Sequence, residues 1–283
     1  MEVGLGLALI VAIGWLYGPT ASALVSEWLS SADASYGLVL VAVAFVVLWN
    51  RRTLFLSKVR SSAPSAVGLS VLLCGLALYL VGMLGADIFL TRVSAVVVIG
   101  GVIAFLAGTA AARVVAAPLF FILLSIPPPA LVVTALTLPL QMVASRIGEG
   151  VLLLVGVPVV REGNLLRLHS ATLEVAEACS GLRSLLSLTA IAALFAWATE
   201  TSWLKRITLV ATAVPIAVVV NGLRVAATGI ACETWGRAAA ADPWHTMMGW
   251  ITFAVSLALL LLLPRIFGFR IAAGELSPSM RRA

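Results

Sequence analysis

The chain has 283 residues, of which 62% are hydrophobic and only 11% charged. A soluble domain carries roughly 25% charged residues, so a mean hydropathy of +1.13 excludes that class and indicates a protein that crosses a membrane several times. The net charge of +6 and pI near 9.9 would suggest a nucleic-acid partner in a soluble protein; here the basic residues are read as a topology signal, with membrane lipid as the surroundings and no nucleic acid.

A spanning helix needs about 20 predominantly apolar residues, because about 30 Å of hydrocarbon is crossed at 1.5 Å per residue. Taken in chain order, the apolar windows predict eight spans, near residues 4–24, 36–50, 66–84, 92–110, 114–127, 183–200, 206–223 and 246–264. The expected class is an all-α polytopic membrane protein in one integral domain over 1–283. Its parts are N-terminal helices (1–127), an extracytoplasmic or interfacial insertion (128–178), a second helical part (179–264) and a basic cytoplasmic tail (265–283).

The linkers between spans set the orientation. Arg51, Arg52, Lys58, Arg60, Arg113, Lys205, Arg206, Arg265, Arg270, Arg281 and Arg282 fall on one side, eleven of the 18 basic residues. By the positive-inside rule that side is cytoplasmic, and both termini lie there. Ala21-Ser22-Ala23 after an apolar run resembles a signal-peptidase site, but Glu2 and the lack of any basic residue before the run argue against cleavage.

The insertion opens with Pro127-Pro128-Pro129, which cannot continue a helix because each ring removes an N–H donor. The segment 130–155, interrupted by Pro139 and carrying Gln141, Arg146 and Glu149, is expected as an interfacial or re-entrant helix at the outer surface. The stretch after it alternates apolar residues around Arg161-Glu162-Gly163-Asn164. That pattern predicts a small β-hairpin with an Asn/Gly turn, outside the membrane, since open strand edges are not tolerated in lipid.

Three cysteines, Cys74, Cys179 and Cys232, make no disulfide framework, and none has the spacing of a metal-ligand motif, so no metal is expected. Cys74 and Cys232 read as small apolar residues. Arg92 and Arg146 read as interfacial arginines, and His169 as a surface residue of the hairpin. Cys179 is different, because it stands between the polar insertion and the sixth span. Two further crossings bring Arg224 to the same outer boundary, and His245 opens the last span there. That trio has a use. A thiolate near a helix start and a cation is a nucleophile; a histidine takes and returns the proton; a guanidinium stabilises a tetrahedral oxyanion. Acyl transfer through a thioester is the implied reaction.

The blocks Glu177-Ala-Cys-Ser-Gly-Leu-Arg-Ser-Leu185, Asn221-Gly-Leu-Arg-Val225 and His245-Thr-Met-Met-Gly249 resemble the three motif blocks of the exosortase/archaeosortase family. The preceding IPPPALVV, LPLQ and GVPVVREGNLLRL stretches are similar too, and the likeness covers about 31–264. One departure is Ser35-Tyr36-Gly37, where a His before the Gly would be expected. The resemblance implies a membrane cysteine protease and transpeptidase of the bacterial inner membrane, its active site facing the periplasm. Its substrate would be a secreted protein with a C-terminal sorting signal, a PEP-like motif followed by a transmembrane helix and a basic tail. It also implies Cys179 as nucleophile, Arg224 as oxyanion or thiolate stabiliser and His245 as acid/base, with Ser180, Arg183 and Asn221 binding substrate or supporting the site. No metal or organic cofactor is implied. The rival classes are a transporter, in which intramembrane arginines would line a substrate path, and a noncatalytic scaffold for polysaccharide export.

Overall fold

The computed structural model describes residues 2–31, 33–61, 65–175, 181–200, 202–236 and 243–266. Nine helices and three short strands are formed among them: α1 (Glu2–Ser30), α2 (Tyr36–Asn50), α3 (Arg52–Ser61), α4 (Ala66–Leu84), α5 (Ile88–Leu124), α6 (Ala130–Leu154), β1 (Val159–Glu162), β2 (Leu165–Leu168), β3 (Thr172–Glu174), α7 (Leu182–Thr199), α8 (Trp203–Trp235) and α9 (Trp244–Ile266). Five helices among the described residues are long and apolar enough to cross a membrane, six if the pair α2–α3, bent by 61° around Arg51, is taken as one span. The all-α polytopic class is therefore as expected, while a count of eight is not reached on length and composition. The basic tail beyond Ile266 lies outside the described residues.

The chain divides into two compact units on either side of Pro129, at the Pro127-Pro128-Pro129 break. In the first, α4 runs antiparallel to the first half of α5. Gly68, Gly75 and Gly82 recur every seven residues on the buried face of α4. They lie against the backbone of Ala104–Phe105, Val98 and Thr91 respectively, and Gly101 of α5 lies against Leu72. In lipid no hydrophobic force draws two apolar helices together, so backbone approach through small residues provides the contact. At Gly108 the backbone leaves helical geometry (φ 79°, ψ 165°). Beyond it α5 doubles back: a Cβ at Gly100 would be 3.3 Å from Leu119 Cδ1, whereas 19 residues of unbroken helix would separate the two by about 28 Å. The fourth and fifth expected spans are the two limbs of this one element.

Arg92 departs from the interfacial reading. Its side chain is buried and pairs with Glu27 at 2.7 Å. A cation that deep needs a counter-charge, and α1 brings one. Nearby, Tyr17 and Ser94 share a hydrogen bond of 3.0 Å, and Trp28 donates to the Ser125 carbonyl at 2.9 Å.

In the second unit α8 is the central element, packed by α6, α7 and α9. α6 runs parallel to it: Ile147 sits on Gly222, Gly148 on Val225 and Leu152 on Gly229. α6 is unbroken through Pro139 and passes the length and hydropathy test for a span. It is thus one continuous helix where an interruption at Pro139 was expected. Neighbouring helices and local adjustment make a proline tolerable in such a span, and the polar residues Thr137, Gln141 and Ser145 share the buried stripe with Ala144, Gly148 and Leu152.

The hairpin is present, with Val159 opposite Leu168 and Glu162 opposite Leu165, and Gly163 at φ +67° supplies the turn. A third strand, β3, pairs on β2. The inner face of this sheet covers the upper parts of α6 and α8 in one apolar cluster that includes Leu152, Leu166, Leu168, Val175, Val225 and Cys232.

Because a Cβ at Gly68 would collide with the Ala104–Phe105 backbone while one at Gly14 meets nothing within 4 Å, the two glycines form a matched test. Gly68→Ala should destabilise the detergent-solubilised protein by about 1–3 kcal/mol, the usual cost of overpacking, and Gly14→Ala should not; thermal unfolding followed by circular dichroism measures both.

Candidate active site

α7 begins at Leu182, with Gly181 as its N-cap in the left-handed region (φ 81°). Gly181 Cα faces the Asn221 side chain so closely that a Cβ would lie 2.7 Å from Asn221 Cγ. Positive φ and lack of space both require glycine here. This contact fixes where the chain enters α7: the residue two positions after Cys179 is seated on α8, one helical turn before Arg224. Cys179 and Ser180 themselves lie outside the described residues. So does Glu177. In the chain, Cys179 stands two residues before Gly181.

Asn221 and Arg224 are three apart on α8 and so share a face. Both are buried, at 5% and 9% exposure, and both have interaction partners. α8 has 33 residues, about 50 Å of helix, so it is longer than the hydrocarbon is thick. Arg224 stands eleven residues before its C-terminal end, about 16 Å below it, and the β-sheet packs on the part beyond. A charged group costs least where protein cover replaces lipid, and the burial of Arg224 meets that condition.

α9 returns along α8. Leu257 and Leu260 pack with Leu188 of α7 and with Ala213, Ile216, Ala217 and Val220 of α8. The direction follows from chain length: Trp235 and Trp244 are nine residues apart, a reach of about 32 Å at most, which forbids α9 from starting at the far end of a 50 Å helix. The first turn of α9, which holds His245, therefore lies toward the C-terminal part of α8, on the same side as Arg224. The His245 side chain is outside the described set. Arg183 stands exposed in the first turn of α7 with interaction partners of its own.

The structure thus brings Asn221, Arg224 and the entry to α7 together, and directs the start of α9 to the same end of α8. A helix N-terminus opens toward the residues that precede Gly181, where an anion is favoured. No group of three metal-ligating side chains occurs among the described residues. Cys232, read as apolar, is fully buried in the cluster under the sheet, and His169 is exposed.

A family model described as transmembrane exosortase (Exosortase_EpsH) matches residues 28–262. The chain belongs to the transmembrane exosortase family. A search of the curated proteins returned no match, and neither did a search of the solved structures. The matched residues take in α2–α8, the whole sheet and most of α9.

Sequence reasoning missed the part that α6 and the hairpin take in this arrangement. Ser145, fully buried, donates to the carbonyl of Gly163 at 3.0 Å, and Arg161 donates to the same carbonyl at 3.0 Å while its Nε lies 2.8 Å from Glu149 Oε2. The signal was the twelve-residue separation of Glu149 and Arg161 across the expected end of the 130–155 segment.

Gly181→Ala is the direct test of the seat on Asn221. It should cost about 1–2 kcal/mol for the left-handed backbone alone, more with the steric conflict, and it should abolish whatever activity depends on Cys179 while Gly156→Ala, also at positive φ but with open space around it, should retain it.

Proposed function

We propose that this exosortase-family protein is a cysteine peptidase and transpeptidase that cleaves the C-terminal sorting signal of secreted proteins at the outer face of the bacterial inner membrane. The observation that supports it most is the seating of Gly181 on Asn221, one turn below the buried Arg224. It seats the entry to α7 on α8 within one helical turn of Arg224.

In this mechanism the Cys179 thiol yields its proton to His245, and the thiolate sulfur bonds to the scissile carbonyl carbon. The carbonyl π pair moves to oxygen, where the Arg224 guanidinium donates hydrogen bonds to the oxyanion. Collapse breaks the C–N bond, His245 returns the proton to the departing amine, and a thioester remains. An acceptor amine or water then attacks the thioester, and the thiol leaves. Asn221 holds the Gly181 turn in place, Arg183 and Ser180 orient the peptide, and no cofactor is needed. A sorting signal's own helix lies in the bilayer beside α6–α9, so the search for the site is two-dimensional and the scissile bond is offered at fixed depth. Its basic tail remains on the cytoplasmic side.

Cys179→Ala should accumulate uncleaved precursor, and Arg224→Gln and His245→Ala should each slow processing by about 100-fold or more. The measurement is a gel-shift assay of a co-expressed secreted protein ending in a short motif, an apolar helix and an Arg-rich tail. Full processing by a correctly inserted Cys179→Ala protein would mean that the chain is not this peptidase, and would favour the transporter or scaffold.

A further inference from the structure

The first limb of α5, residues 88–107, runs from the Asp87 N-cap to the Gly108 break. Its roughly 20 residues cover about 30 Å, the thickness of the hydrocarbon, so its two ends lie at opposite boundaries of the bilayer. The ends differ in charge. At the start stand Asp87 and the Glu27–Arg92 pair. Toward the other end α2–α5 offer no carboxylate, because no acidic residue occurs between Asp33 and Asp87 or between Asp87 and Glu149.

α3 lies at this second end. It packs on α5, and its last residue, Ser61, is four residues from Ser65, a reach of about 14 Å; the Ser65 N–H donates to the Phe105 carbonyl at 3.2 Å. The bend around Arg51 keeps α3 at this depth: its length of about 15 Å, inclined at 61° to α2, advances along the axis of α2 by only about 7 Å. Leu54 and Phe55 are half-buried, whereas Arg52, Leu56 and Val59 form an exposed stripe at helical spacing, the last two at 51% and 37%. The stripe continues the exposed apolar surface of α2. Phe45 stacks on Trp49 with ring centroids 6.2 Å apart, and the Arg52 guanidinium lies 4.4 Å from the Trp49 ring centroid while donating to the Trp49 carbonyl at 2.9 Å. Lys58 is exposed on the same helix, and Arg113 is exposed five residues past Gly108, about 8 Å along α5.

Exposed apolar side chains beside cations on one helix face suit the layer where lipid and water meet. Water would be poor surroundings for Leu56 and Val59, and hydrocarbon would strand Arg52 and Lys58. We propose that α3, together with Arg113, docks on the anionic phospholipids of this leaflet: Trp49, Leu56 and Val59 enter between the headgroups, and Arg52, Lys58 and Arg113 donate to phosphodiester oxygens. Two observations select this occupant. The absence of acidic residues from α2–α5 matches a headgroup of net negative charge, and the continuity of the stripe with the surface of α2 makes lipid its neighbour. The surface is in the first unit, and its role does not rest on the reading of Cys179.

The experiment uses the full chain with Cys74, Cys179 and Cys232 replaced by Ala and a fluorophore on Ser57→Cys, in nanodiscs of phosphatidylcholine. Ser57 is exposed and bonds only its own helix, at the Leu54 carbonyl. The quencher is phosphatidylglycerol or phosphatidylcholine carrying a nitroxide high on one acyl chain. At equal mole fraction and low salt, phosphatidylglycerol should quench about threefold more efficiently. In about 1 M salt, where the Debye length is about 3 Å, that preference should vanish while quenching by phosphatidylcholine persists. Arg52→Gln/Lys58→Gln/Arg113→Gln should remove the preference at low salt, and Leu56→Gln/Val59→Gln should weaken quenching by both lipids. The salt series needs no variant, so it decides the matter even if the triple variant fails to fold. Equal quenching by the two lipids at low salt overturns the anionic-lipid proposal, as does a preference that survives high salt or the triple variant. No quenching by either lipid overturns the placement of α3 at the boundary as well.

Discussion

Two adjacent residues of α8, Asn221 and Gly222, carry the packing on which the second unit depends. Asn221 receives the Gly181 turn, and Gly222 receives Ile147 of α6. The approach is close because one partner of each pair lacks a side chain. Larger residues at Gly181 or Gly222 would push α7 or α6 outward, and Arg224 would lose the protein cover that makes its charge tolerable near lipid. The same two contacts also set depth, since each ties a different part of the chain to one level of a single helix.

Depth is a stronger constraint in this protein than in a soluble one. A soluble site is assembled by whatever packing brings side chains together, whereas a site at a bilayer boundary must also lie at one height. The 33-residue length of α8 serves as the ruler: its lower part packs with Leu188, Leu257 and Leu260, and its upper part carries Leu166, Leu168 and Val175 of the sheet region. Arg224 falls between these two apolar zones. The sheet is thus a cover over a helix that extends past the hydrocarbon, and its open β1 and β3 edges require a position outside the lipid.

The membrane class and the hairpin turn were legible in the sequence because each rests on local composition: apolar run length, and Gly163-Asn164 between apolar strands. Counting crossings put Cys179, Arg224 and His245 at one expected boundary; the seat of the Gly181 turn on Asn221 was not legible, because no local pattern announces that contact. β3 was not, because Thr172-Leu173-Glu174 is too short for its alternation to be distinguished from loop, and it exists by pairing on β2. The Glu27–Arg92 pair joins residues far apart in the chain, and no local pattern announces such a partner. α6 was read as an interfacial or re-entrant helix because Gln141, Arg146 and Glu149 look wasteful inside a membrane, and its length and hydropathy also suit a span. In the folded unit Gln141 lies on the buried stripe and Glu149 holds Arg161, while Arg146 is exposed. The side chains of Cys179 and His245 were read from family likeness and topology, and their chemistry stays a proposal.

The central claim is that Cys179 sits beside α8 at the level of Asn221 and Arg224. Disulfide mapping tests it most directly: with Cys74 and Cys232 replaced by Ala, single cysteines are introduced along one flank of α8 at positions 209, 213, 217, 221, 224 and 228, and each variant is oxidised mildly in nanodiscs. The account predicts rapid bridging of Cys179 to position 221 or 224, where Cα atoms can come within the 4.4–6.8 Å that a disulfide spans, and little at 209 or 213. Bridging at 209 or 213 with none at 221 or 224 would contradict it.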